Sequence, residues 1–180
     1  MPVVSASLKK AIKQLDDKEK EALLLKAIRR DAELHDIIAY ELEEITPDEF
    51  FEQTAAKIQE LLLNATGRSL PKALNKALRK AAKEIARFKR VTKDPKAEVE
   101  LHLHTLRIIF DNYTSQFDSY YKGFYTSTAR LLLRTIQLIK KNLHEDYHVE
   151  YKDTVDSFLE QIHGRSKPVP VALPREFEVE

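Results

Sequence analysis

His144-Glu145-Asp146-Tyr147-His148 is the stretch of this chain that matches a known catalytic pattern. Two imidazoles one helical turn apart can hold a zinc ion, and the glutamate between them can activate a water molecule. The surroundings argue against that use. Such a site needs a helix continuous through all five residues and a third protein ligand. Here Asp146 is a better helix cap than helix interior, the segment falls between two amphipathic runs, and only His163 is nearby as a companion. The sequence therefore predicts no metal and no cofactor. His102 and His104 cannot chelate one ion from an intact helix, because two residues turn it by about 200°. His104 does align with Glu100, Arg107 and Asp111. That row is either a hydrogen-bonded seam between helices or the polar site of an enzyme or small-ligand binder. Phosphate-binding loops are excluded by a total of 3 glycines, and no G-x-x-x-x-G-K-[ST] or G-x-G-x-x-G run is present. With 0 cysteines, thiol nucleophiles, thiolate metal sites and disulfides are all absent.

A second feature is electrostatic. Between Ser69 and Lys93, the bases Lys72, Lys76, Arg79, Lys80, Lys83, Arg87 and Arg90 recur at helical spacing, and Glu84 is the only acid among them. The net charge of the whole chain is only +1, so this is a local concentration of charge rather than a global bias. From Asp16 to Glu60 the acids outnumber the bases. Two readings follow. Either the stripe is a solvated face or one neutralised by acids elsewhere in the chain, or it attracts a polyanion through contacts that displace condensed counterions. Arg130, Arg134 and Lys141 form a smaller second row, which strengthens the polyanion reading if both rows face the same way. The aromatics Tyr113, Phe117, Tyr120, Tyr121, Phe124 and Tyr125 lack interleaved bases and read as packing where two long helices diverge.

The elements that position these residues are punctuated clearly. Asp16 with Glu19 forms a capping box, Asp31 caps a further helix, and Thr46-Pro47 and Asp94-Pro95 are cap-then-proline starts. Gly67 and Gly164 are placed to end helices. Apolar residues at 3–4 spacing then predict about eight helices, the last opening near His148. The helix from Asp94 to Tyr113 is apolar on two sides and should sit at the centre. The fold expected is all-α, an antiparallel helical bundle or short HEAT-like stack. Residues 1–165 form one helical domain, acidic through 67, with basic and central helices over 68–165. Residues 166–180 form an extended tail, punctuated by Pro168, Pro170 and Pro174. Its Val169, Val171 and Leu173 alternate, and with Phe177 they predict docking on the helical body or on a neighbouring subunit. No apolar run approaches membrane-spanning length and no secretory leader is evident, so a cytoplasmic protein is expected.

The basic helix closing on Lys93-Asp94-Pro95 and the later Phe124, Tyr125 and Ser127 resemble an uncharacterised family of bacterial all-helical proteins over the middle half of the chain. That resemblance implies a bacterial, helical, cytoplasmic protein and carries no activity or site residues. The functional expectation is a non-enzymatic binding or scaffold protein. A protein partner or self-association is the leading possibility, nucleic acid the second, and no membrane is involved.

Overall fold

The structure, a computed structural model, describes residues 3–165, 167–169 and 171–179. Among them are eight α-helices: α1 (Ala6–Gln14), α2 (Asp17–Ile28), α3 (Ala32–Glu41), α4 (Pro47–Leu63), α5 (Leu70–Thr92), α6 (Pro95–Asn112), α7 (Gly123–Asn142) and α8 (Glu145–His163). A 3-10 helix, Thr114–Asp118, joins α6 to α7. No described residue lies in a strand. The chain divides into two compact units, Met1–Thr46 and Pro47–Glu180. The boundary therefore falls at the start of α4, not ahead of the tail, which belongs to the second unit.

The caps act as the sequence dictates. Asp16 accepts from the Glu19 amide at 2.7 Å while the Glu19 carboxylate accepts from the Asp16 amide at 3.0 Å. Asp94 accepts from Lys96 and Ala97 at 2.8 and 3.1 Å, with Pro95 in the first turn. Two expectations are corrected. Gly67 does not enter the left-handed region; the described residues that do are Glu43 and Lys93, and Lys93, at φ 55°, ends α5. Also, α8 begins at Glu145 and is capped by His144, so Asp146 lies in its first turn, where an acid suits the helix dipole.

In the second unit α6 is the central element, packed by α4, α5 and α7. It buries Val99, Leu101, Leu103, Leu106, Ile109 and Phe110, which explains a pattern apolar on two sides. Helix α8 packs on α7, and Phe110 stacks on Phe158 with centroids 4.6 Å apart. Phe117, Phe124 and Tyr125 fill the wedge at the α6–α7 connection, while Tyr120 stands in solvent. Helices α5 and α7 run in the same direction: Asn75 meets Ser127 near their starts, and Lys89, Lys93 and Asn142 share a cleft near their ends. Gly123 opens α7 because a Cβ there would lie 2.5 Å from the Tyr121 ring.

The tail docks. Val169, Val171 and Leu173 are half-buried, but the anchor is Phe177, which is completely buried. Its amide donates to Asp156 Oδ1 at 2.6 Å and its carbonyl accepts from Lys152 Nζ at 3.1 Å, with Lys152 and Asp156 paired at 2.7 Å. His163 Nε2 donates to the Pro174 carbonyl at 2.8 Å, and Lys167 donates to the carbonyls of Asp118 and Ser119. Burial pushes the Asp156 carboxyl up, but the bonds from Lys152 and the Phe177 amide outweigh it and hold the group below its usual value. The clamp is therefore complete at neutral pH and is lost as pH falls through that lowered value. Pro170 lies outside the described residues. Replacing a buried Phe with Ala removes its transfer energy and leaves a cavity, so Phe177→Ala should cost about 3 kcal/mol. Glu176→Ala, at an exposed neighbour, should stay within about 0.5 kcal/mol. Denaturant midpoints measure both; equal midpoints would show that the tail is not anchored.

Candidate functional site

The geometry of α5 gives its bases a common direction. Leu74, Leu78, Ala81, Ile85 and Phe88 bury one side against the bundle. At about 100° per residue, Lys72, Lys76, Arg79, Lys80 and Lys83 fall on the opposite side, and all five are exposed. They span roughly 16 Å of helix at 1.5 Å per residue. Arg90 is also exposed, and Arg87 is half-buried. Glu84, the one acid, is engaged by Lys57 of α4 at 2.9 Å and by Arg87 at 3.7 Å, so it does not neutralise the row above it. Beside the row lies an open cleft of about 380 Å³ between α4 and α5. Its polar lining is Lys57, Glu60, Asn64, Thr66, Lys76 and Lys80. Five of these six can donate hydrogen bonds to an anion.

The start of α5 is locked in place. Both ends of the Asn75 side-chain amide are used: Nδ2 donates to the Tyr121 hydroxyl at 2.9 Å and Oδ1 accepts from Ser127 at 2.7 Å. Lys72 lies over the Tyr121 ring, 5.7 Å from its centre.

Near the other end, bases from two helices converge on one buried acid. Glu98, in the first turn of α6, is 1% exposed. Lys89 of α5 reaches it at 2.8 Å and Arg134 of α7 approaches to 4.0 Å. Arg130 and Lys141 of the same α7 row are exposed. His102, one turn along from Glu98, is 3% exposed; its Nε2 is 4.0 Å from the carboxylate, and neither ring nitrogen has a hydrogen-bond partner. Burial, followed by the positive charges of Arg134 and Lys89, lowers its pKa to about 4, so the ring is neutral at pH 7. A cleft of about 380 Å³, lined by Lys89, Lys93, Asp94, Pro95, Glu98 and Asn142, opens beside this pair.

The row expected from Glu100, His104, Arg107 and Asp111 is not drawn into one site. Glu100 accepts from the Tyr151 hydroxyl at 2.7 Å, which together with burial raises the phenol well above its usual value, burial being the larger cause. His104 is half-buried with Nε2 unpartnered, and Arg107 and Asp111 are exposed. The polar position of α6 that is enclosed is Glu98 with His102, which the sequence reading missed; their spacing of four residues on a helix apolar on both sides was the available signal. The HEDYH residues also separate. His144 lies outside the helix with exposed side chain and accepts from the Asp146 amide at 3.4 Å, whereas His148 is buried and donates from Nε2 to the Ile139 carbonyl at 3.2 Å. Among the described residues no three candidate ligands cluster for a metal, and no helix is long and apolar enough to cross a membrane. Comparison with family models, curated proteins and solved structures finds no match to this chain.

A histidine held neutral in the folded state resists protonation that the unfolded chain accepts. Its pKa falls from 6.5 to about 4 on folding, so between those values the unfolded state binds the extra proton and stability declines as pH falls. The slope from this group is at most about 1.4 kcal/mol per pH unit. His102→Gln should flatten the stability profile over that window, read as denaturation midpoints from pH 7 to 4. An unchanged profile would show that His102 titrates normally.

Proposed function

We propose that this protein is a non-enzymatic binding module that engages a polyanion along the exposed face of α5. The observation that carries the reading is the uninterrupted row Lys72, Lys76, Arg79, Lys80 and Lys83, opposite the core and without an acid among them. Exposed pairs contribute only about 0–1 kcal/mol each, so such a face acts collectively, through release of counterions, and without base specificity. The cleft beside it supports the same reading, since Lys57 of α4, with Asn64 and Thr66 just beyond the end of that helix, extends the donor set. A cytoplasmic setting accompanies the proposal and suits a chain without cysteine; a bacterial origin rests on the sequence resemblance alone.

The test is titration of fluorescent duplex and single-stranded oligonucleotides at several salt concentrations. For five phosphate contacts log K should fall with log salt at a slope of about −4.5 on duplex DNA, with little dependence on base sequence. Lys76→Glu/Lys80→Glu/Lys83→Glu should abolish binding without changing the melting temperature. Absence of binding at about 20 mM salt, where this term is strongest, would remove the proposal; binding of an acidic peptide instead would assign the face to a protein partner.

A further inference from the structure

We infer that the cleft between α4 and α5 takes an unpaired base of a single-stranded nucleic acid, so that the protein holds single strands more tightly than duplex. The site rests on the polyanion reading of α5 and adds to it a contact of a different kind. Floor and rim of the cleft differ in chemistry. Leu61 and Ala65 from one side and Ala73 and Ala77 from the other make an apolar floor, and all four are buried or half-buried. The rim is polar. Glu60, Asn64, Thr66, Lys76 and Lys80 line it, and each is exposed.

Glu60 is the discriminating residue, because a rim that served phosphate alone would gain nothing from a carboxylate. Asn64 lies one turn beyond it, its amide donating to the Glu60 carbonyl at 3.0 Å, so the two share one side of the cleft. Lys57, one turn before Glu60, is engaged by Glu84 at 2.9 Å. Among the described residues no cation pairs with the Glu60 carboxylate, and the side chains of Asn64, Thr66, Lys76 and Lys80 have no partner in the chain. Water serves these groups in the free protein. A ligand that replaces it has to bring N–H donors to Glu60, oxygen acceptors to the lysines and an apolar face to the floor.

An unpaired nucleotide supplies all three. Its phosphate meets Lys76 and Lys80, its ring face covers the floor, and the N–H groups on its Watson–Crick edge reach the carboxylate. A duplex has those edges paired and those faces stacked, so it offers the cleft only phosphates, which Glu60 repels. Every base carries an N–H on that edge, and the site therefore separates unpaired from paired strands without reading sequence. The space is adequate: the cleft holds about 380 Å³, within the range of about 300–1,000 Å³ found for ligand sites. Lys76 and Lys80 stand one turn apart, about 6 Å along the axis, and Lys83 carries the row past the cleft for the rest of the strand.

Fluorescence anisotropy with oligonucleotides of equal length tests this, using a mixed-sequence single strand, the same backbone made abasic throughout, and the duplex. At one salt concentration the single strand should bind about tenfold more tightly than the abasic strand, the gain from one hydrogen bond to a charged group, and more tightly than the duplex. Glu60→Ala separates base recognition from plain electrostatics. Loss of a negative charge beside two lysines should by itself tighten every complex, whereas a lost base contact should remove the advantage of the single strand over the abasic one. Ala73→Leu, which fills the floor with a good helix former, should remove the same advantage, with melting temperatures checking that both variants fold. Equal binding of single and abasic strands by the wild-type chain, or an advantage that persists in either folded variant, would overturn the inference and leave the polyanion reading standing. Absence of binding to all three probes would remove both.

Discussion

The Glu98 carboxylate, buried where α5, α6 and α7 meet, is the constraint on which the second unit depends. An ion taken out of water costs several kcal/mol unless charge and hydrogen bonds replace the lost hydration. Three sources offset that cost here. Lys89 lies 2.8 Å away, Arg134 approaches from α7, and the carboxylate sits in the first turn of α6, where the helix dipole favours negative charge. Each source belongs to a different helix, so the acid is accommodated only when all three are in register. Burial first, and the same two cations after it, disfavour a charge on His102 and keep the adjacent imidazole neutral. Lys89 and Arg134 are partly exposed, 46% and 62% at the side chain, which lets solvent share the cost and keeps their own desolvation small.

That arrangement also determines how the α5 bases are presented. Asn75, held between Tyr121 and Ser127, fixes the beginning of the helix, and the Glu98 cluster fixes its far end. Between these points the buried row from Leu74 to Phe88 prevents rotation about the axis. The lysines therefore project from a rigid support, and only their own side chains must be ordered on binding. A surface loop of the same composition would pay backbone entropy as well.

Much of this was legible in the sequence because the signals are local. Capping residues, prolines in first turns and apolar spacing depend on neighbours within a turn or two, and α2, α4, α5 and α6 follow from them. The exposure of the α5 bases was left open by the sequence, and their position opposite Leu74, Leu78 and Ile85 was the available signal. What stayed hidden depends on residues distant in sequence. A glutamate in a first turn is ordinarily a solvated partner of the dipole, so nothing local marked Glu98 as buried; the clue was that α6 has no polar side left to place it on. Phe177 could not be ranked above Val169, Val171 and Leu173, because its pocket is made by Lys140, His148, Lys152 and Asp156 from two other helices. His144 was passed over as a cap because imidazole is an uncommon one.

The near-neutral net charge conceals an uneven distribution of charge between the two units. In the second unit the charge is concentrated on one helix whose other side is committed to a core. In the first, α1 carries 3 lysines and no acid, α2 balances 3 acids with 3 lysines, and residues 31–44 carry 6 acids and no lysine or arginine. The row on α5 limits the affinity that the proposed polyanion contact can reach. A single row of five bases gives at best weak non-specific binding in physiological salt, with dissociation constants on the order of 10⁻⁴–10⁻⁶ M. On the proposed reading, five bases on a helix whose other side is packed would follow the backbone of a long polyanion without base-specific contacts or a deep pocket, at an affinity that rising salt removes.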